Sequence, residues 1–184
     1  EIILTDNLSN NTFTTLHGNK IELEKDELAF LNNYEVINLA GIMGGLNSAC
    51  SKETKSALIE CAYFKPDAII SKAIKYNLHS EASYKFERGV DPKNHEKVLR
   101  RFIQIVEDHA EIVNCELFTQ EYKEFEEVRL DIDLNKINNI LGTVITDDAF
   151  KKSLQNLGFD IDDKILVPSY RSDIHHLNDI AEEI

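Results

Sequence analysis

Carboxylates stand in two places along this 184-residue chain where their surroundings could set them to work. Glu60 lies inside an apolar run, Ala57-Leu58-Ile59-Glu60-Cys61-Ala62-Tyr63-Phe64. As a strand, that run puts Leu58, Glu60, Ala62 and Phe64 on one face. A carboxylate among apolar neighbours is costly unless it has a partner. The partner could be a hydroxyl of a ligand, a Lys or Arg of the protein, or water at a sheet edge. The second place is the last turn of the chain, where Asp179, Glu182 and Glu183 are spaced i, i+3 and i+4. A helix collects these on one face, and Asp173 lies six residues earlier in the turn leading in. Such a cluster suits a hard cation such as Mg²⁺. On the residues alone, a solvated acidic helix start, favoured by the macrodipole, is the more common arrangement.

Other candidates are less specific. Gly44-Gly45 follow a strand pattern, where a missing Cβ lets a ligand approach the backbone or makes an ordinary tight turn. His79 sits in a loop pattern, where an exposed histidine is more common than a general base. His175-His176 are adjacent and lack a third metal ligand. No Ser-His-Asp or Cys-His constellation offers a covalent nucleophile.

The elements that must hold these residues can be read from periodicity. Thr12–Leu16 and Ile21–Leu23 read as strands, Glu35–Ala40 as a third, and 57–64 as a fourth. Pro66-Asp67 opens a helix carrying Ile69, Ile70, Ala73, Ile74 and Leu78 at helical spacing. Asp91-Pro92 opens another, with an apolar stripe of Val98, Phe102, Ile105, Val106 and Ile112. Composition shifts near residue 120, where 121–127 holds four glutamates. A second unit follows: strand 128–132, helix 134–141 closed by Gly142, helix 146–158, strand 165–168, and a helix starting within 173–184. The expected architecture is α+β, a mixed-sheet domain over residues 1–118 followed by a small α/β, winged-helix-like domain over 122–184.

The bulk numbers narrow the function. Hydrophobic residues are 42% of the chain and charged residues 29%, enough for a packed core in a soluble protein. No run is long and apolar enough to span a membrane. Net charge is −13, from 20 basic and 33 acidic residues. This argues against autonomous DNA binding, which depends on neutralising phosphates. Cys50, Cys61 and Cys115 are scattered and form neither a zinc site nor a disulfide framework, which fits a reducing cytoplasm. The chain opens without Met at Glu1-Ile2-Ile3-Leu4 and stops inside a helical pattern, as an internal fragment would.

Three stretches together carry a family resemblance. They are Ala40-Gly41-Ile42-Met43-Gly44-Gly45, Ile59-Glu60-Cys61-Ala62-Tyr63-Phe64-Lys65-Pro66, and Leu78-His79-Ser80-Glu81-Ala82-Ser83-Tyr84-Lys85-Phe86-Glu87-Arg88-Gly89-Val90-Asp91-Pro92. In order and spacing they resemble the editing domain of bacterial-type phenylalanyl-tRNA synthetase β subunits. A fourth stretch, Val167-Pro168-Ser169-Tyr170-Arg171-Ser172-Asp173 with Asp179 to Ile184, resembles the domain that follows it. The resemblance implies hydrolysis of tyrosine misattached to tRNA, with Glu60 receiving the tyrosyl hydroxyl. It places Gly44, Gly45, Ser80 and Ala82 around the pocket. It implies magnesium at Asp173, Asp179, Glu182 and Glu183, near the contact with a catalytic α subunit in an α₂β₂ assembly. It also implies ATP, phenylalanine and tRNA as substrates of the whole enzyme, and no aminoacylation by this stretch alone. Ser80 stands where many members carry Thr, keeping the hydroxyl and losing a methyl. The alternative is a non-catalytic interface module.

Overall fold

The computed structural model describes residues 1–9 and 12–184, which form two units, Glu1–Val90 and Asp91–Ile184. The first unit runs β1 (Ile2–Thr5), β2 (Thr12–Thr14), β3 (Lys20–Glu22), β4 (Ala29–Asn32), β5 (Glu35–Leu39), β6 (Met43–Gly44), α1 (Pro66–Ile69), α2 (Lys72–Lys75) and α3 (Glu81–Phe86). Strands β1-β4-β5-β6 form one antiparallel sheet, and β2-β3 a separate hairpin. Alternation decides the inward face: Ala29 and Leu31 of β4 are buried, while Asn32 is exposed. The core gathers Phe13, Leu23, Leu31, Leu39, Ile42, Phe64, Ile69 and Leu78. Burying each such side chain contributes about 1.5–3 kcal/mol.

Two expected elements differ. Residues 57–64 take no strand partner among the described residues. Phe64 is buried and Ala62 packs against the core, but Leu58, Ile59 and Glu60 are exposed. Alternation survives only where the sheet's core reaches it. The single expected helix over 66–78 is two short ones, α1 and α2. They are separated at Ser71, whose φ of +64° is left-handed and ends helical propagation.

Among the described residues of this unit, one charged side chain is buried. Glu27, 1% exposed, accepts from Lys75 Nζ at 2.7 Å and from the Tyr76 hydroxyl at 2.8 Å, and pairs with Lys72 Nζ at 2.8 Å. Burial alone would raise its carboxyl, but the three hydrogen bonds outweigh that and hold it below the ordinary value. The network fastens the β3–β4 loop to α2, directly ahead of Leu78-His79-Ser80.

The second unit contains α4 (His95–Glu107), β7 (Arg129–Asp131), α5 (Leu134–Leu141), α6 (Asp147–Asn156), β8 (Asp160–Ile161), β9 (Lys164–Leu166) and α7 (Leu177–Glu182). Its sheet is antiparallel in the order β7-β9-β8. Ile137, Phe150, Leu154, Phe159, Ile165, Ile174 and Ile180 make its core. Asp133 caps α5 by accepting from Lys136 N at 2.9 Å, and Thr146 caps α6 from Ala149 N at 3.3 Å. Each cap is worth about 1 kcal/mol. Helix α4 has the expected amphipathic spacing, yet Val98, Phe102 and Ile105 are 47%, 40% and 44% exposed.

Candidate functional site

Stretches separated by some 20 residues each meet at Gly41. Its φ is +68°, and a Cβ there would stand 2.9 Å from Ile69, 3.0 Å from Phe64 and 3.3 Å from Phe86. Only glycine meets both demands. The Phe64 and Phe86 rings pack edge to face with centroids 5.1 Å apart, and Phe30 approaches Phe64 from the sheet at 6.4 Å. The glycine turn, the 57–64 segment and α3 are thus joined by one aromatic contact set.

A polar joint lies beside it. Ser80 is the N-cap of α3, and its Oγ accepts from Ser83 N at 3.0 Å. The same hydroxyl donates to the Ile42 carbonyl at 2.7 Å, tying the start of α3 to the glycine turn. Ser80 is half-buried, and its neighbours His79 and Ala82 are exposed. The two expected glycines divide by role. A Cβ on Gly45 would sit 2.8 Å from the Ile37 carbonyl oxygen and 3.0 Å from Phe13, so Gly45 serves packing. A Cβ on Gly44 would meet nothing within 4 Å, so its open side suits a ligand's approach.

Glu60 does not take up the buried position its apolar neighbours suggested. It is exposed, because residues 57–60 leave the sheet's core. Nearby groups still withdraw water from it and push its carboxyl above the ordinary glutamate value, with no cation pulling the other way. Its charge, after burial, also raises the Cys61 thiol. Glu60 is therefore a carboxylate not spent on a protein cation, in contrast to Glu27.

The carboxylates of the second unit are arranged around an arginine. Arg171 binds both oxygens of Asp173, at 2.9 and 2.7 Å, and both of Glu183, at 2.9 and 2.6 Å. Paired hydrogen bonds of this kind are among the strongest polar contacts. They raise the guanidinium and hold both carboxyls low. Asp179 accepts from the backbone N–H groups of His175 and His176, at 2.7 and 2.8 Å, and caps the turn into α7. Glu182 is exposed. Among the described residues, the acidic groups close enough to share an ion are Glu24, Asp26 and Glu27, not these four. As arranged, Asp173 and Glu183 clamp Arg171, Asp179 is held by two backbone N–H groups and Glu182 faces solvent, which fits a metal cage poorly. A groove of about 490 Å³ is bordered by Asp179 alone of these four, with Asp131, Lys136, His175, His176, Leu130 and Leu177.

Glu27 with Lys72, Lys75 and Tyr76, and Ser83 beside Ser80, were not singled out from the sequence. The spacing of Lys72, Lys75 and Tyr76 at i, i+3 and i+4 was a usable signal, since it puts two ammonium groups and a phenol on one helix face.

Comparison with known proteins places this geometry. Residues 1–111 match the B3/4 domain, and residues 130–184 match the tRNA synthetase B5 domain. The chain belongs to the B3/4 domain family. It is similar to the phenylalanine–tRNA ligase beta subunit of Geobacillus kaustophilus, 33% identical over 100% of this chain and 24% of that protein. The corresponding subunit of Idiomarina loihiensis is 33% identical over 93% of this chain and 22% of that protein. That of Francisella tularensis is 29% identical over 96% and 23%. The chain therefore spans under a quarter of the length of these relatives. No described helix is long and apolar enough to cross a membrane.

Proposed function

We propose that this chain is the proofreading portion of a phenylalanine–tRNA ligase β subunit, hydrolysing the ester that joins misattached tyrosine to tRNA. The observation that carries the proposal is the convergence of the glycine turn, the Glu60 segment and the Ser80 cap around Gly41, Phe64 and Phe86. Similarity to the ligase subunits over nearly the whole chain supports it.

The chemical problem defines the site. Tyrosine is phenylalanine plus one hydroxyl, and an apolar pocket rejects such an addition weakly. A site that requires the hydroxyl discriminates better, because phenylalanine leaves its polar group unpaired. Glu60, bound to no protein cation, would accept the tyrosyl hydroxyl in a charge-assisted hydrogen bond. The open side of Gly44 and the small, exposed side chain of Ala82 would leave room for the ring and ester. Water attacks the ester carbon, the bond to the ribose oxygen breaks, and a proton from the water passes to that oxygen, giving free tyrosine and the tRNA hydroxyl. The residues position the substrate rather than form a covalent intermediate.

Ligation itself, with ATP, phenylalanine and tRNA, would belong to an α₂β₂ assembly in the cytoplasm whose catalytic α subunit is a separate chain. Magnesium at Asp173, Asp179, Glu182 and Glu183 stays part of the proposal on one condition: Arg171 must release Asp173 and Glu183. The same clamp favours the second reading, a non-catalytic interface module, since it already pairs Asp173 and Glu183 without an ion. The test is deacylation by the assembled enzyme. Tyrosyl-tRNA should be hydrolysed far faster than phenylalanyl-tRNA, and equal slow rates would leave only the interface role.

A further inference from the structure

We infer that Ser83 is a positioning residue for this editing reaction, acting through Ser80; the inference rests on the proofreading reading above. Ser83 is 3% exposed and, with Thr15 and Glu27, is one of three buried polar residues among those described. Its Oγ accepts from Ser80 N at 3.2 Å and donates to Ser80 O at 3.0 Å, with the two Oγ atoms 3.3 Å apart. Its N–H donates to Ser80 Oγ at 3.0 Å.

Proton bookkeeping follows from these contacts. The Ser80 hydroxyl has one proton, and the 2.7 Å contact directs it to the Ile42 carbonyl. That proton is unavailable to a substrate or leaving group. Ser80 is then a brace on the peptide that leads from Ile42 through Met43 to Gly44, whose open side would face the ligand. Serine lacks the second Cβ substituent that stiffens χ1 in threonine. The Ser80 side chain therefore needs an outside restraint to stay on Ile42, and the buried Ser83 supplies it. Without the Ser83 hydroxyl, Ser80 N–H loses its acceptor and the two Oγ atoms lose their contact, so the brace is held only by the Ser83 N–H and the Ile42 carbonyl and is less firmly oriented.

The test uses the full-length assembled enzyme and the ratio of kcat/KM for tyrosyl-tRNA to that for phenylalanyl-tRNA hydrolysis. Partial unfolding scales both values together and leaves the ratio unmoved. Ser83→Ala should lower the ratio about tenfold, the scale expected of a slightly misplaced positioning group. Ser80→Thr should restore it in the Ser83→Ala background, because the branched side chain holds its own rotamer. Ser83→Ala should have no further effect on Ser80→Ala, since one acts through the other. Where Ser83→Ala fails to assemble, Ser83→Cys, close in volume and weak as a donor, is read by the same ratio. A ratio within about twofold of wild type, or effects of the two alanine variants that multiply, would overturn the role. Glu60→Ala separates the layers. If it abolishes hydrolysis while Ser83→Ala is silent, only the positioning role fails; if Glu60→Ala is also silent, the proofreading reading fails with it.

Discussion

Two glutamates in the first unit show how environment decides a carboxylate's use. Glu27 is buried and satisfied by Lys72, Lys75 and Tyr76. Glu60 is exposed and has no protein cation holding it ionised. Replacing Glu27 by Ala should leave Lys72, Lys75 and the Tyr76 hydroxyl without their shared acceptor and cost about 1–3 kcal/mol, since both ammonium groups keep some access to water, read by urea unfolding. Acid should act in the same direction. The Glu27 carboxyl sits below its unfolded value of 4.5, so its contribution is complete above that pH and is lost as pH falls through the folded value. Lys75 sits above 10.5, so its contribution is complete below that pH and is lost as pH rises through its own folded value. The glycines part in a similar way. Gly45→Ala forces a Cβ against the Ile37 carbonyl and should cost about 1–3 kcal/mol in thermal melting. Gly44→Ala fills open space and should change stability by less than about 1 kcal/mol, while slowing tyrosyl-tRNA hydrolysis. At this scale the sequence exposed motif residues but not their partners. Nothing in a linear pattern links Glu27 to side chains 45 and 48 positions away, or reveals that the Ser80 proton is already committed to Ile42.

At the scale of elements, local periodicity was legible wherever an element could satisfy itself nearby. The β2–β3 hairpin, β5, α5 and α6 all follow from alternation, helical spacing or caps. The 57–64 segment was misread because strand propensity reports fitness for a sheet, whereas a strand exists only with a partner. The break at Ser71 was unreadable because no glycine or proline marks it. Its left-handed φ of +64° makes a direct test: Ser71→Gly should stabilise the chain by about 1 kcal/mol. The turn between β4 and β5 gives a parallel case. Asn33 and Tyr34 have φ of +48° and +70°, both positive, which is the pattern that favours Asn-Gly. Tyr34, largely exposed, loses little contact on substitution, so Tyr34→Gly should raise the melting temperature.

Over the whole molecule, charge is unevenly shared. The second unit holds 11 Lys and Arg against 21 Asp and Glu, a net −10 of the chain's −13. The compact units divide at residues 90 and 91, whereas the family matches end at 111 and resume at 130, so α4 falls with the second unit although it lies within the first match. A boundary near 120 follows the glutamate-rich composition of 121–127 and falls in the gap between the two family matches, while the compact units divide earlier. The acidic surplus lies mostly in the second unit. It includes the carboxylates that Arg171 clamps. Arg171→Ala should free Asp173 and Glu183, so that millimolar Mg²⁺ raises the melting temperature of the variant more than that of the wild-type chain. An equal shift in both would show that the arginine does not compete with the ion. The proofreading assignment itself turns on a single side chain, and the most direct measurement is the initial rate of tyrosyl-tRNA deacylation by the assembled Glu60→Ala enzyme, with aminoacylation by the same preparation as the control for assembly. Hydrolysis should fall by about a hundredfold or more with aminoacylation retained, and an unchanged deacylation rate would contradict Glu60 as the acceptor of the tyrosyl hydroxyl.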